Sequence, residues 1–154
     1  MPTSAVPAAV NALLAILRAA PGLADVRIVD GPASTNLTEL KQLFVGWQPA
    51  VEAAVTLEQD FASAGARTRD ETFEIACYAE TRSGDKDMAT QRGRVFDLVA
   101  AVETALRATD AAPTAPTLNG TVLWSHLTTG NLAQMQAEGT VAGLAFTVTC
   151  RARI

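Results

Sequence analysis

Residues able to do acid–base or nucleophilic chemistry are few in this 154-residue chain. Its single histidine, His126, directly follows Ser125. Neighbouring side chains on a strand point to opposite faces, so these two do not form a catalytic Ser–His pair. We expect His126 to be a hydrogen-bonded structural side chain or a solvent-facing one, and we predict no catalytic residue.

The two cysteines, Cys77 and Cys150, lie far apart and form no CxxC motif. Both fall on the apolar side of predicted strands, which predicts two buried, reduced thiols because a free cysteine packs as a small hydrophobic residue. A disulfide across neighbouring strands remains the alternative, because sequence alone does not give the pairing.

With one histidine and two distant cysteines, a metal site would have to be built from carboxylates. Two pairs share a strand face, Glu58 with Asp60 and Glu74 with Glu80. The alternative, which we expect, is a solvated strand face, so no metal is predicted. No GxGxxG or GxxxxGKS/T motif is present, and no cofactor is predicted either.

Composition limits the class of protein further. Apolar residues make up 49% of the chain and charged residues 18%, which argues against global disorder. The net charge of −4 argues against free-standing nucleic-acid binding, which needs a basic surface. The length fits one domain over residues 1–154. We expect no targeting segment and no membrane association, because the apolar run near the start is short and interrupted.

Hydrophobic periodicity divides the chain into helices and strands. Apolar residues at helical spacing predict helices over 5–20 and about 86–108. Apolar runs that alternate or are bounded by turn residues predict strands over 26–30, 40–47, 51–61, 72–81, 121–128, 131–138 and 144–154. The last of these strands puts apolar residues on one face and threonine and arginine on the other.

Turn and capping residues separate these elements. Asp85 and Asp87 are expected to cap the second helix, where the helix dipole favours negative charge. Residues 108–120 predict a connection without regular structure. Turns are predicted at 129–130 and 138–139, so the last third of the chain is predicted to be a β-meander in an α+β fold.

The order of elements resembles the tail-terminator (head–tail joining) proteins of long-tailed bacteriophages and related tail-like particles. The resemblance covers nearly the whole chain, from the first helix through "VRIVDG" and "LFVGW" to the terminal strand. Its most specific parts are the strand–"SGD"–helix unit over 72–106 and the terminal strand preceded by Gly139 and Gly143.

The resemblance implies a central, mostly antiparallel sheet flanked by an N-terminal helix and one long helix. It implies a non-catalytic virion protein, made in the cytoplasm of a bacterial host, that forms a ring, expected to be a hexamer. The ring would cap the head-proximal end of the tail tube, end tube polymerisation and contact a neck protein, while DNA passes through its lumen without specific binding. The alternatives are a small-molecule-binding α+β domain or cryptic enzyme, and another neck or tail-completion protein.

A ring needs a heterologous interface, and strand edges are natural patches for one. If the terminal strand lies at a sheet edge, its two arginines are expected to face acidic strand residues of a neighbouring copy. The residues in this hypothesis are Arg151 and Arg153 on one side and Glu74 with Glu80, or Glu58 with Asp60, on the other. The alternative is that both arginines are solvated.

Two other segments are candidate contact surfaces. Trp47 lies in the turn "VGWQP", and aromatic residues are enriched at interfaces. Its alternative is packing beneath the first helix. The segment 60–70 has no clear periodicity and is predicted to be a loop that reaches the tube or the lumen.

Overall fold

Six strands and two α-helices form the described part of the chain in the computed structural model, which covers residues 2–32, 39–61, 64–65, 67–136 and 138–154. In chain order the elements are α1 (Val6–Ala19), β1 (Arg27–Asp30), β2 (Lys41–Val45), β3 (Val55–Phe61), β4 (Arg69–Ser83), α2 (Met88–Ala105), β5 (Trp124–Gln136) and β6 (Thr140–Arg153). Short 3₁₀ turns occupy Pro21–Leu23 and Ala115–Thr117. The predicted α+β class is confirmed.

The sheet is mixed and mostly antiparallel, with the strand order β1-β2-β4-β6-β5. Only the β1–β2 pair is parallel among the described strands. The 15-residue strand β4 pairs with β6 along one edge. Its other edge is shared, because β3 pairs with its first half and β2 with its second half.

Both helices lie on one side of the sheet, which we call the helix face; the opposite side is the open face. Inward side chains of β4 and β6 join those of α1 and α2 in one buried cluster. Fully buried examples are Phe73, Phe146, Leu13 and Val95. Burying a side chain of this size contributes about 1.5–3 kcal/mol, so each helix gains its stability from the sheet.

The start of α2 follows the predicted capping chemistry. The Asp87 carboxylate accepts a hydrogen bond from the Thr90 backbone N–H at 3.2 Å. A hydrogen bond from the Thr90 hydroxyl is the main cause that lowers the pKa of Asp87. Asp85 plays a supporting part, because its side chain accepts from the Asp87 backbone N–H at 3.1 Å.

The predicted meander in the last third is wrong, since 124–136 is one strand with a β-bulge and not two strands joined by a turn. The register against β6 shifts between Leu127 and Gly130. The Thr129 hydroxyl there donates to the hydroxyl of Thr147 at 3.1 Å. The 14-residue strand β6 supplies partners on both sides of the shift, which holds the two halves of β5 in line.

The terminal strand lies inside the sheet and not at its edge. β6 pairs with β4 on one side and with the preceding strand β5 on the other, and both pairings are antiparallel. The prediction of a structureless 108–120 is also wrong. A 3₁₀ turn begins at Ala115 in this connection and ends before Leu118, and both of these residues are fully buried.

Smaller differences concern element ends. Residues 51–54 lie outside β3, and β4 begins at Arg69, three residues before the predicted start. The predicted loop over 60–70 is therefore shorter, since its ends belong to β3 and β4. Residues 62, 63 and 66 of that segment lie outside the described residues.

Candidate interaction surface on the open face

Four strands bring most of the predicted charged residues to one end of the open face. The register gives three rows across β3, β4, β6 and β5, namely Asp60, Asp70 and Arg153; Glu58, Thr72, Arg151 and Trp124; and Thr56, Glu74, Thr149 and His126. The surface is therefore acidic at β3 and basic to aromatic at β6 and β5.

Both terminal arginines contact an aspartate of their own chain. Arg153 donates to the two Asp70 carboxylate oxygens at 2.7 and 3.2 Å, and Arg151 reaches the same carboxylate at 3.5 Å. The hydrogen bond from Arg153 is the main cause that lowers the pKa of Asp70. The side chains of Arg151 and Arg153 are still 47% and 55% exposed, so they lie on a solvated face, as the alternative had it. The acidic residue that they contact in their own chain belongs to neither of the predicted carboxylate pairs.

Asp70 was not among the predicted contact residues, because it fell at the end of the loop predicted over 60–70. The signal was available in the alternation of β4, since Asp70 has the same parity as Thr72 and Glu74. Extending the predicted strand by three residues toward Arg69 would have put Asp70 beside the arginines.

The two predicted carboxylate pairs are arranged differently. Glu74 and Glu80 share the open face but stand six positions apart on β4, about 20 Å at the rise of a strand. Glu80 is paired with Arg82. Glu58 and Asp60 are neighbours on the open face of β3 and are exposed. Among the described residues no group of three or more His, Cys, Asp or Glu side chains could hold a metal ion.

Trp47 packs on the open face and not beneath the first helix. Its ring contacts Phe44 and Tyr78 edge-on, with centroid separations of 5.4 and 5.6 Å. The turn reaches this face because Gly46 and Trp47 both donate their backbone N–H to the Ala76 carbonyl of β4. Trp47 remains half-buried, so part of its ring is available to a partner.

Tyr78 in this aromatic cluster lies directly over Gly143 of β6. A Cβ atom at Gly143 would collide with the Tyr78 ring, so glycine is needed here for close approach. Burial of the Tyr78 side chain is the main cause that raises its pKa. The cluster therefore fixes the turn after β2 onto the middle of the sheet.

Trp124 and His126 form an exposed aromatic stack at the β5 side of the open face. Their ring centroids are 4.8 Å apart with an interplanar angle of 29°. The Ser125 hydroxyl donates to the Pro116 carbonyl at 2.9 Å. The solvent-facing alternative for His126 is confirmed, and Ser125 is engaged elsewhere.

Glu71 is a buried carboxylate that lies outside the predicted site residues. Its Oε1 accepts the Ala5 backbone N–H at 2.8 Å, at the start of α1. Its Oε2 accepts from Gln59 at 2.5 Å, and Arg69 donates to the Gln59 side-chain oxygen at 3.0 Å. Glu71 thus caps α1 from the sheet, where N-cap residue Ala5 has no side-chain acceptor of its own. Its parity with Phe73 was the signal for burial.

Both cysteines are buried and reduced, as predicted. The register sets Cys77 opposite Phe146 and Cys150 opposite Phe73, four positions apart along the ladder. That offset is about 13 Å, beyond the reach of a disulfide. Burial raises the pKa of each thiol to about 12.

A cavity of about 110 Å³ lies on the helix side, lined in part by Asp25, Lys41, Arg94 and Asp97. Small-molecule sites usually enclose roughly 300–1,000 Å³. Lys41 is already bonded to Asp25 at 2.8 Å, which is the main cause that lowers the pKa of Asp25. This cavity gives no support to the small-molecule alternative.

Fold and surface together define an α+β domain in which both described α-helices cover the same face of the sheet. No family model matches the chain, and no curated protein matches it. No helix in the described ranges has the length and apolar character needed to cross a bilayer.

Proposed function

We propose that this protein is a structural virion component that assembles into a ring at the head-proximal end of a phage tail tube. The ring, of six copies, ends tube polymerisation and provides the surface that the neck protein binds. The proposal comes from the resemblance of the chain to tail terminators, and the α+β fold agrees with what that resemblance implies.

The observation that carries the proposal is the outer edge of β5. This 13-residue strand contains no Asp, Glu, Lys, Arg or Pro. No described strand pairs with its outer edge, and its second half is exposed on both faces. Leu132 and Met135 in that half are 39% and 66% exposed.

Stable monomers usually protect a strand edge with charges, proline, a β-bulge or a covering element. β5 has one such device, the bulge near Leu127, and its remaining length is left open. An edge of this kind is suited to a permanent protein partner, which is what a ring subunit has on each side.

Tube length is the direct test of this function. Purified tail tube protein is polymerised alone, with the wild-type chain, with Leu132→Lys and with the matched control Thr104→Lys on exposed α2. We expect tubes of limited length with the wild type and the control. Leu132→Lys should give long, unregulated tubes because its charge falls on the open edge of β5.

Electron microscopy supplies the readout, as the distribution of tube lengths and the presence of a ring at one end. Tubes that grow to the same lengths with and without the wild-type chain would reject the proposal. A ring found at the tip-proximal end would reject the assigned position.

A further inference from the structure

We propose that the outer edge of β5 pairs with the outer edge of β3 from a second copy of this chain, so that the antiparallel sheet continues from copy to copy. This inference rests on the ring assembly proposed above and assigns the two surfaces that form its interface.

Strand direction favours this pairing. β3 is antiparallel to β4, β4 to β6, and β6 to β5. β3 and β5 therefore run in opposite directions at the two edges of the sheet. A second copy placed beside the first in the same orientation brings its β3 antiparallel to β5, and repetition of that step is a heterologous, ring-forming contact.

No strand in the described ranges pairs with the outer edge of β3, so its backbone groups can take part in such a ladder. Arg69 and Ile154 exchange both backbone hydrogen bonds. The backbone N–H and C=O groups of every second residue of β4, counted from Arg69, are therefore directed toward β6, and those of the residues between them toward β3. In the β3–β4 register, the backbone N–H and C=O groups of Glu58 are directed toward β4, and those of Leu57 are directed away from the sheet. The Ala76 N–H, which donates to the Ala54 carbonyl, follows the same alternation.

The same alternation applies to β5. Ala133 and Met135 lie opposite β6 residues whose backbone groups are directed toward β5. The backbone N–H and C=O groups of Ala133 and Met135 are therefore hydrogen-bonded to β6. Leu132 precedes Ala133, and Gln134 lies between Ala133 and Met135. The backbone N–H and C=O groups of Leu132 and Gln134 are directed outward, away from β6. Both edges therefore present a leucine whose backbone N–H faces away from its own sheet.

Exposed apolar side chains accompany both edges on the helix face. On β3 these are Leu57 and Phe61, which are 44% and 71% exposed. On β5 it is Leu132. Because side chains of paired strands stand on the same face at close distance, the proposed ladder buries these residues against each other.

Charge favours pairing of β3 with β5 of a second copy over pairing of β3 with a second β3. β3 carries the exposed acids Glu58 and Asp60, so two β3 edges repel each other. The β5 edge is uncharged and imposes no such repulsion. The β3 edge therefore takes an unlike edge of a second copy, and the uncharged β5 edge is the one that strand direction offers to it.

Proline substitution tests the pairing, since proline removes an outward N–H and is tolerated at strand edges. Leu57→Pro blocks the β3 edge, and Leu132→Pro blocks the β5 edge. Native mass spectrometry should find the wild type in a closed oligomer and each variant alone as a monomer. An equal mixture of the two variants should stop at a heterodimer, because one intact edge pair remains.

Leu57→Ala and Leu132→Ala are the controls, because they shorten the side chain and keep the N–H; both should still form species larger than a dimer. Assembly that is lost with Leu132→Pro but kept with Leu57→Pro would show β5-to-β5 pairing and overturn the inference. Assembly kept in both proline variants, or a mixture that stays monomeric, would overturn it as well.

Hydrogen exchange on the wild type tests the same pairing without any substitution, so it still applies if a proline variant does not fold. The amide protons of Leu57 and Leu132 should become protected as protein concentration rises, while unchanged exchange overturns the inference. A wild type that stays monomeric at its highest soluble concentration also overturns it. Tube-length control is scored separately, so the ring function can stand when the edge assignment fails.

Discussion

Glu71 shows how one buried side chain connects three elements. It joins the start of α1, through Ala5, to Gln59 of β3 while belonging to β4 itself. A helix start buried without a capping acceptor is costly, because its N–H groups have no partner within the helix. A single carboxylate on the sheet therefore supports the position of α1.

Replacement of Glu71 by alanine should destabilise the fold by about 1–3 kcal/mol, because buried donors lose their acceptor. The measurement is urea unfolding of the wild type and Glu71→Ala. Glu74→Ala is the matched control, an exposed glutamate on the open face of the same strand, and should change stability by less than about 0.5 kcal/mol. Equal effects of the two variants would contradict the capping role.

Asp70 makes stability depend on pH. Its pKa in the folded chain lies below the ordinary value of 3.8, mainly because of Arg153. A lowered carboxylate pKa stabilises the fold fully above that ordinary value, and the stabilisation is lost as pH falls through the lowered pKa. Asp70→Asn should therefore be less stable than the wild type at neutral pH, with a difference that narrows in acid.

Urea unfolding across this pH range measures that difference. Arg153→Gln should remove much of the same pH-dependent part, because it takes away the main partner of Asp70. A difference between wild type and Asp70→Asn that stays constant from neutral pH into acid would show that the ion pair adds no stability.

The two thiols should be unreactive in the folded chain. The thiolate is the reactive form, and burial raises the pKa of Cys77 and Cys150 to about 12. A thiol reagent at neutral pH should label neither cysteine in native protein and both after unfolding. Rapid labelling of one cysteine under native conditions would show that its strand is open to solvent.

At the scale of elements, two glycines should respond oppositely to alanine. Gly143→Ala on β6 should destabilise the fold by about 1–3 kcal/mol, because the new methyl group meets the Tyr78 ring. Gly93→Ala on α2 should stabilise it by about 0.5–1 kcal/mol, because the site is open and alanine favours the helix. Thermal unfolding distinguishes these signs, and a shift of the same sign in both variants would contradict the packing described for the aromatic cluster.

Sequence periodicity predicts elements well where one side is buried. Even-numbered residues of β6 from Leu144 to Ala152 are buried, as their alternation indicated. The helices α1 and α2 also match their predicted spans to within a few residues. In each case the pattern reflects contact with a single shared core, which leaves a repeated signal in the chain.

The misassigned elements are those whose residues carry no such signal. Thr129 and Gly130 are typical of a turn, yet they sit at a bulge whose position depends on pairing with β6. The site residues show the same limit. Trp47 reaches the open face through backbone bonds to Ala76, a contact between segments far apart in sequence.

At the scale of the whole molecule, the helices cover one face of the sheet, and no described element pairs with the outer edge of β5 or of β3. The β5 edge is neutral, and the acids Glu58 and Asp60 accompany β3. The arginines that first suggested an interface are exposed on the open face and paired with Asp70 of their own chain. Assembly should therefore depend mainly on strand pairing and apolar contact and only weakly on charge.

Salt dependence of assembly tests this balance. Screening weakens contacts between exposed charges, whereas backbone pairing and apolar burial persist. The oligomer fraction of the wild type should change little between low and high ionic strength in sedimentation velocity. Dissociation by moderate salt would instead indicate that Arg151 leaves Asp70 to bind acids of a neighbouring copy.

The divided edge of β4 has a consequence for how far an incoming strand can slide. Among the described strands, the sheet extends by β2 and β1 beside the second half of β4 and by β3 beside the first half. The border is thus a step one strand deep, about 4.8 Å. A strand laid along β3 fills that step and meets the end of β1, so the seven residues of β3 set the length of the overlap.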